Sequence, residues 1–90
     1  MTYLAISTNS GDPSGFVAAE GARTAELVSS GVIEQLWLKS DWSGAVMVLT
    51  SADEDAARAA VGSLPITRAG LTSWALTAVV EPPVGPPSGR

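Results

Sequence analysis

Strand-like and helix-like segments follow one another in the order strand, helix, strand, strand, helix, strand, and this order restricts the fold more than any other feature. In residues 2–8 successive side chains point to opposite faces, with Leu4 and Ile6 together on one of them. A period of two indicates a strand. Turn-forming residues fill positions 9–15 and end that strand. Similar reasoning predicts three more strands, at residues 32–40, 45–50 and 71–80.

The first helix is predicted at residues 16–30, which are rich in Ala and Glu, and Gly31 ends it in the left-handed conformation common at that position. In the strand that follows, alternation puts Glu34 on the same face as Leu36 and Leu38. A short turn at residues 41–44, shaped by Asp41, leads to the third strand. The third strand is almost entirely apolar, which is typical of a central strand covered on both faces.

The second helix begins with a capping-box pattern, in which Ser51 is the N-cap and Glu54 follows three residues later. It extends to about Gly62, and Pro65 prevents its continuation. Its buried side is expected to carry mostly small side chains, which allows a close approach to the sheet: Ala56, Ala57, Ala60, Val61 and Leu64.

Right-handed crossovers convert this order into a ferredoxin-like α+β fold, βαββαβ, with a four-stranded antiparallel sheet and both helices on one face. We expect one domain over residues 1–81 and an extended or disordered Pro- and Gly-rich tail at residues 82–90. The other face of the sheet would expose several large apolar side chains. Two copies packed sheet to sheet would cover them, so we expect a homodimer and leave further assembly open.

Charge and missing residue types argue against several functions. The 90 residues carry nine acidic and five scattered basic side chains, a net charge of -4, so nucleic acid and anionic membranes are disfavoured as partners. Cysteine and histidine are absent, which removes disulfides, thiolate chemistry and the commonest metal ligand. We therefore expect no metal and no cofactor. The sequence shows neither a signal-peptide pattern nor an apolar run of about 20 residues, and a cytoplasmic location is expected.

The sequence resembles muconolactone isomerase-like proteins and, more broadly, the dimeric α+β barrel superfamily. The resemblance covers nearly the whole chain in element order. At residue level it rests on Leu36 and Trp37 in the second strand and on Leu64 and Pro65 before the fourth. It implies a dimer whose sheets form a barrel, and a pocket between sheet and helices for small, often carbonyl-bearing substrates. The superfamily includes isomerases, cofactor-free monooxygenases and cyclases of secondary metabolism.

Glu20 is the first candidate for chemistry, because on a helical wheel it lies within the arc of Phe16, Val17, Thr24, Leu27 and Val28. A carboxylate that faces an apolar pocket can shuttle a proton near neutral pH. Alternatively, Glu20 reaches solvent and pairs with Arg23. Arg23 is a candidate for binding a carboxylate or an enolate, or else it forms a surface ion pair. Tyr3 is a candidate hydrogen-bond donor to a carbonyl oxygen.

Three tryptophans and three further side chains complete the candidate set. Trp37 and Trp74 are candidates to line a pocket for a flat ligand, although core or interface positions would also explain them. Phe16 and Leu27 are candidates for the same pocket, and Glu34 is either a second pocket carboxylate or a surface residue at the strand end. Trp42, in the turn, suits a pocket mouth or a partner subunit.

Two main hypotheses follow. The first is a cofactor-independent isomerase or cyclase, in which Glu20 moves a proton, Arg23 or Tyr3 stabilises the oxyanion and the tryptophans line the cavity. The second is a non-catalytic ligand-binding or assembly module with the same fold, and a cofactor-free monooxygenase is a third reading. An interior cavity between sheet and helices would favour the first hypothesis, and a completely filled interior would favour the second.

Overall fold

Four antiparallel strands form one sheet in the order β2-β3-β1-β4. The computed structural model describes residues 1–80, so the tail expected at residues 82–90 lies outside the described residues. The elements in chain order are β1 (Thr2–Asn9), a short 3-10 turn (Ser14–Phe16), α1 (Val17–Ser29), β2 (Ile33–Leu38), β3 (Ala45–Thr50), α2 (Glu54–Gly62), α3 (Pro65–Arg68) and β4 (Thr72–Val79). The ferredoxin-like α+β fold is confirmed.

The inner face of the sheet, which we define as the face covered by the helices, carries the hydrophobic core. Alternation in β1 places Tyr3, Ala5 and Ser7 on this face, where all three are buried. The remaining core side chains come from the neighbouring strands and from the helices: Leu27, Ile33, Met47, Leu49, Ala57, Val61 and Leu64. The core therefore lies between the sheet and α1, α2 and the turn before α3.

The outer face of the sheet, the opposite side, is uncovered by any element of residues 1–80. Ile6 of β1 lies beside Val46 of β3, and Val46 lies beside Trp37 of β2. These residues form an apolar row across three strands, in which the Trp37 side chain is 52% exposed. Isolated apolar side chains on a surface are ordinary, whereas here three apolar side chains lie next to one another.

The faces of β2 differ from the expected alternation. The register shifts between Ile33, which pairs with Leu49, and Gln35, which pairs with Val48, so Glu34 is the extra residue of a β-bulge. Ile33 is therefore buried on the same side as Leu36, which strict alternation does not predict, and Glu34 is exposed. A bulge leaves no mark on a hydrophobic pattern that assumes strict alternation.

The start of α2 also differs from the expectation. Its N-cap is Asp53, whose Oδ1 accepts a hydrogen bond from Ala56 N at 2.8 Å. Ser51 instead donates its hydroxyl to the carbonyl oxygen of Asp53 at 2.7 Å. Asp and Ser are comparable N-caps, and here the extended backbone of Asp53 brings its carboxylate to the first turn. Ala56 is exposed, whereas the other members of the expected buried side are at least partly buried.

Gly31 and Pro65 are the residues that the sequence assigns to the ends of the two long helices. Gly31 has a φ of 82°, so the left-handed end of the first helix is confirmed. Pro65 follows α2 as expected, but it also occupies the first position of the short helix α3. A proline fits that position because its missing N–H would have no partner in the first turn.

Gly44 joins the β2–β3 hairpin closely to β1. A Cβ atom at this position would overlap the backbone carbonyl oxygen of Ser7. The Ser7 side chain strengthens the same junction, because its Oγ accepts a hydrogen bond from Ala45 N at 2.8 Å. The base of the hairpin is thus held against β1 in two ways: Gly44 allows the two backbones to approach closely, and the buried Ser7 hydroxyl forms a hydrogen bond between them.

We expect Gly44→Ala to lower the free energy of unfolding by about 1–3 kcal/mol, because its Cβ forces the hairpin away from β1. The matched control is Gly21→Ala in α1, where a Cβ would meet nothing within 4 Å. That control should raise stability by roughly 0.5–1 kcal/mol. Urea denaturation followed by circular dichroism measures both, and a Gly44→Ala variant as stable as the parent protein would contradict the proposed close contact.

Candidate functional site

A cavity of about 290 Å³ lies between the inner face of the sheet and α1. It is at the end of the sheet where β1 and β2 finish and where β3 and β4 begin. A cavity of about 150 Å³ holds benzene, so this one has room for a single substituted ring. Most of its lining is apolar, and it consists of Ser7, Asn9, Pro13, Val17, Glu20, Thr24, Leu36, Leu38, Trp42, Gly44, Ala45, Met47, Ile66, Thr72 and Trp74.

Glu20 is the acidic residue that lines the cavity. Its Oε1 accepts a hydrogen bond from Ile66 N at 3.0 Å. Ile66 lies in the first turn of α3, where backbone N–H groups have no partner within the helix. The carboxylate therefore links α1 to α3 through one oxygen. The other oxygen, Oε2, accepts no hydrogen bond from residues 1–80.

Arg23 does not line the cavity, although it follows Glu20 by only three residues. Its Nε donates to Ser63 Oγ at 3.0 Å, and its guanidinium forms an ion pair with Glu26 at 3.4 Å. The alternative pairing of Glu20 with Arg23 is therefore not formed. A half-exposed pair of this kind contributes little to stability, and the contact with Ser63 connects α1 to the turn between α2 and α3.

The sheet side of the cavity carries polar groups that the sequence analysis did not select. Asn9 and Thr72 are register partners in neighbouring strands, and both line the cavity. The Thr72 Oγ1 atom is shielded from water and has no hydrogen-bond partner within the described residues. The alternation of β1 already contained part of this signal, because it places Asn9 on the same face as Ser7 and Tyr3.

The three tryptophans lie in three different places. Trp74 lines the cavity, and its Nε1 donates to Thr67 Oγ1 at 2.9 Å. Trp42 is a lining residue as well, yet its side chain is 75% exposed, as expected of a residue at the mouth. Trp37 does not line the cavity. It lies between Leu36 and Leu38 in β2, so its side chain points to the opposite, outer face of the sheet.

The remaining candidates also lie outside the cavity lining. Phe16 belongs to the exposed 3-10 turn, Leu27 is a core side chain, and Glu34 is the exposed bulge residue. Tyr3 is buried four residues before Ser7, about 13 Å along the strand. Burial raises the pKa of the Tyr3 hydroxyl, and the nearby carboxylate of Glu54 raises it further. Tyr3 thus remains protonated, at a distance from the cavity.

The turn at the cavity mouth is ordered by Asp41, as the sequence analysis expected. Its Oδ1 accepts hydrogen bonds from Ser43 Oγ at 2.6 Å and from Ser43 N at 3.0 Å. The hydrogen bond from the Ser43 hydroxyl is the main reason that the pKa of Asp41 is lowered, and the backbone bond adds to it. A lowered pKa means that the charged form favours the folded turn. This contribution is present above the ordinary aspartate pKa and is lost as the pH falls through the lowered value.

Within residues 1–80, no three His, Cys, Asp or Glu side chains are grouped closely enough to hold a metal ion. None of the helices in the same residues is long and apolar enough to cross a bilayer.

Comparison with known proteins identifies the fold and leaves the family open. No family model matches the sequence, and no curated protein matches it. A solved structure does match: 5-chloro-2-hydroxyhydroquinone dehydrochlorinase from Burkholderia phenoliruptrix AC1100, in complex with 2,5-dihydroxybenzoquinone. The TM-score is 0.77 at 17% sequence identity, and the match covers 91% of this chain and 96% of that chain. At this identity the likeness concerns the fold alone.

Two hydroxyls at the cavity should respond to mutation in opposite directions. Thr72→Val removes a buried hydroxyl without a partner, so we expect the unliganded protein to be unchanged or more stable by up to about 1–2 kcal/mol. Ser7→Ala removes the acceptor of Ala45 N and should lower stability by about 1–3 kcal/mol. Thermal and urea unfolding measure both, and a strongly destabilised Thr72→Val variant would show that its hydroxyl has a structural partner.

Proposed function

We propose that this protein is a cofactor-independent enzyme, an isomerase or cyclase, that moves a proton on a small oxygen-bearing ring compound. One observation carries the proposal: the Glu20 carboxylate lines a largely apolar cavity, with one oxygen held by Ile66 N and no hydrogen bond to the other oxygen from residues 1–80. A positioned carboxylate that has a free oxygen in a partly water-excluded site is suited to act as a general base.

The proposed chemistry is proton transfer at a carbon next to a carbonyl group. Glu20 Oε2 takes the proton, the C–H electron pair moves into the ring, and negative charge develops on the carbonyl oxygen to give an enolate. Return of the proton to a different carbon gives the isomer and restores the carboxylate. The enolate oxygen needs hydrogen-bond donors, and the Asn9 amide and the Thr72 hydroxyl on the sheet side are nearer candidates than Arg23 or Tyr3, which do not line the cavity.

The size and lining of the cavity support the proposed substrate class. A volume of about 290 Å³ admits one substituted ring. Trp74 offers that ring an aromatic surface whose orientation is fixed by the bond to Thr67. The structurally similar dehydrochlorinase was solved with 2,5-dihydroxybenzoquinone, a single oxygenated ring. Compounds of that kind are accordingly the first to test.

A non-catalytic ligand-binding module is the second candidate, and the Glu20 contact itself favours it. Because Glu20 satisfies Ile66 N, its presence also has a purely structural explanation as a link between α1 and α3. The two functions differ in one measurable respect. A structural carboxylate can be replaced by an amide that keeps the same hydrogen bond, whereas a general base cannot.

Glu20→Gln separates these two functions, because its amide oxygen still accepts from Ile66 N but cannot take a proton. We expect the variant to fold and to bind ligand within a few-fold of the parent protein. Its catalysis of hydrogen–deuterium exchange next to the carbonyl of cyclic enones, unsaturated lactones and hydroxyquinones, followed by NMR, should fall by about 100-fold or more. The matched control is Glu26→Gln, on the exposed side of the same helix, and it should catalyse the exchange at the rate of the parent protein. Undiminished exchange by folded Glu20→Gln would rule out the assigned base.

A homodimer built through the outer face is part of the same proposal. The row formed by Ile6, Val46 and Trp37 is apolar and crosses three strands. The partner argued for is a second copy of the chain, because one flat apolar sheet face is complementary to another when two sheets pack face to face. Such packing would remove these side chains from water without covering the cavity, which opens on the inner face.

Ile6→Lys should convert the dimer into a monomer, because it would place two like charges in the apolar centre of the interface. Ala59→Lys, on the exposed side of α2, is the control of equal charge and should leave the dimer intact. Sedimentation velocity at several protein concentrations measures the change. A parent protein that sediments as a monomer at high concentration would refute the proposed dimer.

A further inference from the structure

Trp42 combines an exposed side chain with a position on the cavity. Its side chain is 75% exposed, although it is one of the residues that line the cavity. Asp41 and Ser43 on either side are joined to each other through the Asp41 carboxylate. A large aromatic at this point contributes little to the core. Its surface is free to be buried against something that enters the cavity.

The backbone of Trp42 is strained. Its φ is 65°, and it is the one non-glycine residue with a positive φ in the described part of the chain. Glycine adopts this left-handed region freely, but a bulky side chain does so only when its surroundings impose it. Here they do: Trp42 N donates to Lys39 O at 2.8 Å, and Lys39 N donates to Gly44 O at 2.9 Å. Strain that is held in place in this way is concentrated at ligand-binding sites.

We propose that Trp42 determines specificity by stacking on the exposed side of a planar, unsaturated ring bound in the cavity. This inference rests on the proposed function, and it narrows the substrate class from any oxygenated ring to a flat one. Trp74 and Trp42 would have different tasks. Trp74 is tied to Thr67 and forms a fixed aromatic surface inside, whereas Trp42 gives the ring a second aromatic surface at the entrance.

The prediction concerns affinity for flat against puckered rings of similar size. Two probes serve: 2,5-dihydroxybenzoquinone, which is planar, and 1,4-cyclohexanedione, which carries two carbonyl groups on a saturated ring. Isothermal titration calorimetry compares the parent protein with Trp42→Gly and Trp42→Asn. These two residues both accept a positive φ, so the turn should persist. Trp42→Phe retains a smaller aromatic surface and serves as the conservative control.

We expect Trp42→Gly and Trp42→Asn to bind the quinone about tenfold more weakly, and Trp42→Phe to lose less. Affinity for the saturated dione should change less than about twofold, because a puckered ring stacks poorly. The melting temperature should stay the same or rise in Trp42→Asn, because the strain is relieved. A variant that is at least as stable yet binds the flat probe more weakly is not explained by a structural role.

Several outcomes would overturn the inference. Equal quinone affinity in the parent protein and Trp42→Asn would refute the stacking role while leaving the proposed function intact. Dissociation of the dimer in Trp42→Asn with unchanged quinone affinity would assign Trp42 to a subunit contact instead. If the parent protein binds neither probe but catalyses exchange on other rings, the flat-ring specificity is wrong. If it neither binds nor exchanges any ring compound, the proposed function fails as well.

Discussion

Both long helices and the short α3 lie on one face of the four-stranded sheet, which places the cavity on that side and leaves the outer face uncovered by any element of residues 1–80. On the covered side, the floor of the sheet is uneven. Large side chains such as Tyr3 and Leu49 fill the space beneath the helices at one end. At the other end Ser7, Gly44 and Ala45 are small, and all three line the cavity. Their small side chains help to leave room for the cavity at this end.

The hydrogen bond from Ile66 N to the Glu20 carboxylate supports the structure and, in the proposed reaction, also orients the base. α3 has only four residues, so its unpaired N–H groups are a large part of its backbone. A carboxylate from α1 satisfies one of them and brings α3 to the rim of the cavity. In the proposed reaction this bond fixes the orientation of the base, so that little rearrangement is needed when a substrate arrives. Arg23 and Ser63 join the same two regions a few residues away, and they hold the helix without entering the site.

Element order was predictable from the sequence because strand and helix periods are local, and the uncovered sheet face followed from counting helices against strands. The position of Glu20 towards the sheet was predictable for the same reason, because the helical repeat determines which residues of α1 share one side. The bulge at Glu34 was not, because an inserted residue looks like ordinary alternation until the partner strand is known. Tyr3 and Trp74 illustrate the larger difficulty. Both point to the inner face, but only the register between strands shows that Trp74 lies beside Ser7 at the cavity while Tyr3 lies under α2.

The separation of the three tryptophans gives the protein an optical property that needs no added label. Indole emission shifts to longer wavelength in water and to shorter wavelength when the ring is buried. Trp37 lies on the outer face, Trp42 at the cavity mouth and Trp74 inside, bonded to Thr67. Chains that keep one indole and carry phenylalanine at the other two positions would therefore report separately on the proposed subunit contact, on the entrance and on the interior. The proposed assembly and ligand entry could then be followed as independent events in the same molecule.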